Sequence, residues 1–257
     1  MRFVAQRMAE LAKPSRAPRF KQAPELWDNN KITAAWLGHS TVLINFQGLN
    51  IITDPVLFSR IGAQSALGTV GPIRRQACSL KPAELPKIDL VLISHAHLDH
   101  LDFPSLRALP GKPFAVTAKN TGDLLEDTGI HQFAELGWGE RQNVETKSGE
   151  VQVEAFEVRH WGARLQRDTN RGYTGWVVER EGRRLLIGGD TASTPVFGGH
   201  RTFGPFEAAV MPIGAYDPWI RVHCSPEQAA LMAREAGARS FVPIHHETFK
   251  LSAEARG

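Results

Sequence analysis

At 257 residues, 42% hydrophobic and 22% charged, the chain has the composition of a soluble globular protein. It is long enough to bury a core without staples, which excludes disordered and disulfide-scaffold classes. The net charge of +3 alone says little about partners; no nucleic-acid module and no large basic surface shows beyond the N-terminus, and no apolar run approaches the roughly 20 residues of a membrane helix.

The chain opens on a basic stretch. Residues 1–21 carry Arg2, Arg7, Lys13, Arg16, Arg19 and Lys21 against Glu10. Phe3, Val4, Met8 and Leu11 recur there at helical spacing. The stretch reads as an amphipathic helix, either packed on the domain or lying on an anionic membrane surface. It lacks the apolar region and cleavage site of a signal peptide. Residues 1–30 are therefore set apart from a single domain over 31–257. Cys78 and Cys224 are too few for a disulfide framework and read as free thiols in a reducing, cytoplasmic compartment.

Strands follow: "ITAAWLG" (32–38), "TVLINF" (41–46) and "NIITD" (50–54), with Gln47-Gly48 as a hairpin turn. Residues 55–87 are irregular and include the basic pair Arg74-Arg75. "IDLVLIS" (88–94) reads as a fully buried strand, "PSLRAL" (104–109) as a short helix and "FAVTA" (114–118) as a strand. "TGDLLEDTGI" reads as a helix ending near Gly129. "EVQVEAFEV" (150–158) alternates as a half-buried strand does. "YTGWVVER" and "RRLLIGG" flank a second hairpin turn at Glu181-Gly182. "FEAAVMPIGAYDP" (206–218) is a buried strand running into a loop, and its layout echoes "IDLVLISHAHLDH", as in a fold of two similar halves. In "SPEQAALMAREAG" (225–237), Ser225 caps a helix with Pro226 at its first position, Gln228 completes a capping box, and Gly237 ends it. "SFVPI" (240–244) is the last strand. The pattern predicts one α/β domain with sheets inside and helices outside.

The chemistry concentrates in "HAHLDH". Residues two apart in extended chain share a side, so His95 and His97 can meet one cation, and Asp99 and His100 a second. Two ions about 3.5–4 Å apart clamp a hydrolytic substrate and make hydroxide available near neutral pH. Three further candidates each end an apolar run: His160, Asp190 and His245. The expected division gives His95, His97 and His160 to one ion, Asp99, His100 and His245 to the other, with Asp190 bridging. Mixed imidazole and carboxylate donors suit zinc, with manganese and iron as alternatives. His39 and Asp54 are expected to orient ligand histidines, though Asp54-Pro55 also reads as a plain turn. His223 sits between a strand and a capped helix, where the alternative is an exposed loop histidine. Tyr216 and Trp219 line the substrate path or pack beside the helix. His246 points away from the site, and His131 and His200 are surface residues.

At these residues the chain resembles the metallo-β-lactamase superfamily, whose His-x-His-x-Asp-His signature "HAHLDH" matches. The resemblance runs from about Thr33 to Phe249 and implies an αββα sandwich with a dinuclear site along one edge. More narrowly, "WLGHSTVLINFQGLNIITDPVLFSR", "PKIDLVLISHAHLDHLD", "GDT", "RTFGPFEAAVMPIGAYDP" and "HCSPEQA" look like the branch of N-acylphosphatidylethanolamine-hydrolysing phospholipase D. That resemblance implies cleavage of a phosphodiester lipid. Independently of it, Asp99 is expected to coordinate one ion and orient or deprotonate the water. The resemblance puts His223 at the site mouth as a donor to a phosphoryl oxygen or leaving group. It also implies dimers as a common assembly. Two departures stand out: His246-Glu247 replace the branch's Trp-Gly, and the sequence ends at "KLSAEARG" where relatives continue, being either naturally short, which would leave the site more open, or truncated. The alternatives are a lactonase or other ester or amide hydrolase on the same metals and, from another class, a non-catalytic metal-binding scaffold.

Overall fold

A computed structural model describes residues 15–253 except 19, 67, 166 and 167. The helix expected over Phe3–Leu11 lies outside the described residues. From Ser15 onward the segment runs along residues 74–77: Ser15 Oγ donates to the Arg74 carbonyl at 2.5 Å, and Arg16 bridges to Gln76.

Among the described residues, fourteen strands form two six-stranded sheets and one small hairpin. The first sheet has the order β1-β2-β3-β6-β7-β8. Its strands are β1 (Ile32–Gly38), β2 (Thr41–Phe46), β3 (Leu49–Thr53), β6 (Leu90–Ile93), β7 (Phe114–Ala118) and β8 (Phe133–Leu136). The second has the order β14-β13-β12-β11-β10-β9. Its strands are β9 (Arg141–Thr146), β10 (Gly149–Phe156), β11 (Gly175–Arg180), β12 (Arg183–Ile187), β13 (Ala208–Pro212) and β14 (Phe241–Ile244). The exposed hairpin of β4 (Ala63–Ser65) and β5 (Gly68–Val70) lies in the stretch read as irregular.

Both expected hairpin turns form. Gln47 and Gly48 have φ of 53° and 85°, and Glu181 and Gly182 have 49° and 71°. Two consecutive positive φ values give the turn whose twist matches paired strands. Pro243 lies in β14, at the sheet's edge, where its missing N–H interrupts no ladder.

The buried strands alternate between two cores. In β6, Leu90 and Leu92 enter the core between the sheets, while Val91 and Ile93 face outward. That inner core also holds Val42, Ile44, Phe46, Val151, Val153, Trp176 and Leu185. Outside the first sheet pack α1 (Phe103–Arg107) and a 3-10 helix over Gly122–Thr128, through Leu106 and Leu125. The latter is the helix expected to end near Gly129, which closes it at φ 80°. Outside the second sheet pack α2 (Val196–Gly199) and α3 (Pro226–Glu235), through Phe197, Ala229, Met232 and Ala233. The arrangement is the expected αββα sandwich. The Ser225–Gln228 capping box is present, and Gly237 has φ 81°. Among the described residues no helix is long and apolar enough to cross a membrane.

Strand direction decides where function can sit. β1, β3 and β6 run one way in the first sheet; β10, β12, β13 and β14 share a direction in the second. The residues following these strands converge on one edge. Crevices outside carboxyl ends of strands are where such sheets bind ligands.

Candidate metal centre

Every chemistry-bearing residue singled out at a strand end arrives at this edge. β6 delivers His95, His97, Asp99 and His100. His160 follows β10, Asp190 follows β12, and His245 follows β14 directly. The turn between β1 and β2 supplies His39, and Asp54 follows β3 directly. His223 stands on the loop before α3. The Nε2 of His95 lies 2.8 Å from Nδ1 of His97, which lies 3.4 Å from Nε2 of His160. On the other side, Asp190 Oδ2 lies 3.2 Å from His100 Nε2 and 3.1 Å from His245 Nε2. Asp99 Oδ2 is 3.8 and 3.7 Å from the same two nitrogens. Asp190 Oδ2 also reaches within 3.8 Å of His160 Nε2, so it stands between the two groups.

These atoms form four overlapping sets able to hold a cation. They are His95, His97 and His160; His95, His100 and Asp190; His39, Asp99, His100 and His245; and His160, Asp190 and His223. The donor atoms of each set lie within 4.8 Å of one another. A test of fit is whether the pocket satisfies its own polar atoms. It does not: His100 Nε2, His245 Nε2, Asp190 Oδ1 and His223 Nδ1 are buried without a hydrogen-bond partner. His100 and His245 are close to Asp190 but lack hydrogen-bond alignment. Buried orphans of this kind cost about 1–3 kcal/mol each, and divalent cations would satisfy them.

The far side of each ring explains which nitrogen faces inward. Ser94 Oγ donates to Asp54 Oδ2 at 2.7 Å and accepts from His95 Nδ1 at 2.9 Å. His100 Nδ1 donates to Asp54 Oδ2 at 2.8 Å, and His160 Nδ1 to the Val222 carbonyl at 2.9 Å. With Nδ1 engaged on the far side, each of these three rings turns Nε2 into the site, the atom through which such histidines ligate a metal. Asp54 thus fixes the His100 ring from behind, and its own φ is 34°. Oδ1 of Asp54 accepts the Ser94 N–H at 2.7 Å.

His39 departs from expectation. Its ring holds no histidine; Nε2 lies 2.9 Å from Asp99 Oδ2 and donates to it. Its backbone does hold one, since the His39 carbonyl accepts the N–H of His245 at 2.9 Å. His39 and His245 have φ of 54° and 61°. Such conformations cost of order 1–3 kcal/mol each and persist only where neighbours fix them. Here Thr248 Oγ1 accepts the His39 N–H at 2.6 Å, and Trp36 Nε1 donates to the His39 carbonyl at 2.7 Å. Gly214 lets the His245 carbonyl pass; a Cβ there would stand 2.1 Å from that oxygen.

Electrostatics divide the rings. Burial holds His95 well below the usual histidine range, and His97 at about 4, His160 and His39 at about 3. They are neutral, the form that ligates metals. Burial also opposes charge on His100 and His245, but Asp190 and Asp99 outweigh it. His100 rises well above its usual value and His245 to about 9. Asp190 and Asp99 go well below the carboxylate range; burial works against this, and His100 and His245 overcome it.

His223 is buried, not an exposed loop residue, with Nδ1 3.8 Å from Asp190 Oδ2. Burial lowers it to about 4. Tyr216 is half-buried, and no hydrogen bond or ring contact joins it to the cluster among the described residues. His246 stacks on Trp36 at 4.3 Å, away from the ligand set. His200 corrects the surface expectation: it is buried, 4.5 Å from the Phe156 ring. Sequence reasoning passed over Ser94, Thr248 and Trp161. The Trp161 ring lies 4.6 Å from His97 and 4.4 Å from His160 and is half exposed, roofing that pair. Its position beside His160 was the available signal.

A family model described as the beta-lactamase superfamily domain matches residues 49–246. The chain belongs to that superfamily, whose members include metal-dependent hydrolases. It is 34% identical to an uncharacterized protein of Mycobacterium tuberculosis over 88% of this chain and 61% of that protein. It is 31% identical to the N-acyl-phosphatidylethanolamine-hydrolyzing phospholipase D 1 of Caenorhabditis elegans over 89% of this chain and 67% of that enzyme. The chain thus spans about three fifths to two thirds of these relatives' length. Among solved structures it matches Igni18, a metallo hydrolase of Ignicoccus hospitalis, with a TM-score of 0.64 at 21% identity. That match covers 87% of this chain and 86% of the other.

Proposed function

We propose that this chain is a zinc-dependent phosphodiesterase of the phospholipase D type, acting on N-acylphosphatidylethanolamine-class lipids. Seven clustered histidines and aspartates with orphaned buried donor atoms carry the metal reading; the similarity to the nematode phospholipase supports the substrate class. Two divalent cations, held by His95, His97 and His160 on one side and Asp99, His100 and His245 on the other, would acidify water and screen the diester's charge.

The chain's own groups do the rest. Asp190 stands between the two sets and holds them together. Asp99, depressed well below neutral, is a weak base; it orients the attacking water, and His39 Nε2 fixes its Oδ2. Water oxygen bonds to phosphorus, the phosphorus–oxygen bond to the N-acylethanolamine breaks, and that alcohol leaves with a proton from water. His223 is neutral at working pH, and added cations would keep it so. Its role is therefore to donate an N–H to a phosphoryl oxygen, not to serve as the acid.

The test is product analysis by mass spectrometry on zinc-loaded protein given N-acylphosphatidylethanolamine, with chelator and His97→Ala as controls. Chelator-sensitive N-acylethanolamine, lost in the variant, is expected. Hydrolysis of lactones or simple esters instead would move the assignment to a carbonyl hydrolase. Two bound metals with no hydrolysis of any phosphodiester, lactone or lactam would favour a binding scaffold.

A further inference from the structure

The loop carrying four of the seven cluster residues closes a turn on its own backbone, but the carbonyls on either side of that turn depend on another loop. The His97 carbonyl accepts the N–H of both His100 and Leu101, at 3.0 and 2.9 Å, closing a tight turn. The carbonyls that bracket this turn, on Ala96 and Leu101, belong to fully buried residues. A buried carbonyl needs a donor. Both are reached by one atom from the other sheet's loop: Nη1 of Arg164, at 3.0 Å from Ala96 O and 2.8 Å from Leu101 O. The two hydrogens on that nitrogen match the two carbonyls. The guanidinium carbon lies 4.4 Å from the centre of the Phe103 ring, a cation–π contact that fixes its plane. Phe103 begins α1, whose cap Asp102 accepts from the Ser105 N–H.

We infer that Arg164 is a positioning residue for the metal centre. It clamps the turn 97–100 from outside and ties it to the loop that bears His160, so that both sides of the His97–His160 pair are set by one side chain. The inference rests on the reading of the cluster as a metal site. Arg164 faces backbone, not the cluster, and touches no donor atom among the described residues.

The sign of the effect separates a clamp from a charge. Removing a positive charge beside a cation site by itself tightens cation binding. Removing the clamp loosens it, and the loss of such outer partners typically weakens metal affinity about 10- to 100-fold. The experiment measures zinc affinity by competition with a chromophoric chelator in the wild type, Arg164→Met, Arg164→Lys and Arg164→Ala, with thermal melting of each metal-free variant. Arg164→Met is expected to lose about 10- to 100-fold. Arg164→Lys should keep most of the affinity, since its ammonium can donate to both carbonyls. Arg164→Ala should regain affinity on adding guanidinium at sub-denaturing concentration. Unchanged or tighter binding in Arg164→Met overturns the clamp. So does weakened binding that neither lysine nor guanidinium restores. A wild type that binds no zinc defeats the metal reading itself, a result distinct from failure of the clamp.

Discussion

Asp54→Asn removes one charge and reverses one hydrogen-bonding atom at the point where β3 meets the histidine loop. In the native site, Oδ1 takes the Ser94 N–H while Oδ2 takes the Ser94 hydroxyl and His100 Nδ1, at 2.7, 2.7 and 2.8 Å. The stronger backbone bond keeps oxygen facing the Ser94 N–H, so the new NH2 faces His100. Two donors cannot share that contact, so His100 gives up its Nδ1 proton and keeps the one on Nε2, which then offers no lone pair to a cation. The bonds from the Ser94 hydroxyl and from His100 Nδ1 to Oδ2 are lost, and the bond from the Ser94 N–H is weakened. At about 1.5–3 kcal/mol for a bond to a charged group, the metal-free protein loses about 3–6 kcal/mol, read by urea unfolding. Zinc affinity at the His100 side falls about 10- to 100-fold. Nitrogen-15 correlation spectra of the imidazoles report the tautomer directly. Wild-type zinc affinity with His100 still protonated on Nδ1 would refute this reasoning.

Three more outcomes are expected. In metal-free protein, His95, His97, His160, His39 and His223 lie below their unfolded value of about 6.5, so their stability is full above that pH and lost as pH falls toward 3–4. His245, raised to about 9, contributes stability that is present below 6.5 and lost as pH rises from 6.5 through 9. Stability should therefore peak near neutrality in chelator-treated samples; a monotonic rise from pH 4 to 10 would contradict the assignments. Gly162→Ala places a Cβ 2.2 Å from the Gly172 carbonyl and 2.4 Å from that of Arg171. Backbone must then shift beside His160, and a loss of at least about 1–3 kcal/mol is expected for such overpacking; a neutral result in urea would show that the loop has slack. The basic stretch over 1–21 should carry the chain onto anionic vesicles, and equal sedimentation with neutral ones would count against it.

What could be read in advance was what is local in sequence. "HAHLDH" packs four donors into six positions, so their convergence needs no knowledge of the fold. The turns at Gln47-Gly48 and Glu181-Gly182 and the cap at Ser225 are set by neighbouring residues. The groups that were missed act across distance. Ser94 serves Asp54 from forty residues away, Thr248 meets His39 across the whole domain, and Arg164 reaches back to Ala96 from the second sheet. Strands β8 and β9 escaped notice because they are edge strands with few inward positions; in β9 only Val144 is buried. His200 looked superficial beside polar neighbours, yet the sheet face bearing Phe156 encloses it.

On the proposed function, one edge of the sandwich is to hold two cations on seven side chains. Native mass spectrometry of zinc-reconstituted protein, with His160→Ala and His245→Ala beside it, tests this most directly. The account predicts two zinc ions per wild-type chain and one in each variant, since the two histidines belong to different ions. A single ion in the wild type, or two retained in both variants, would contradict it.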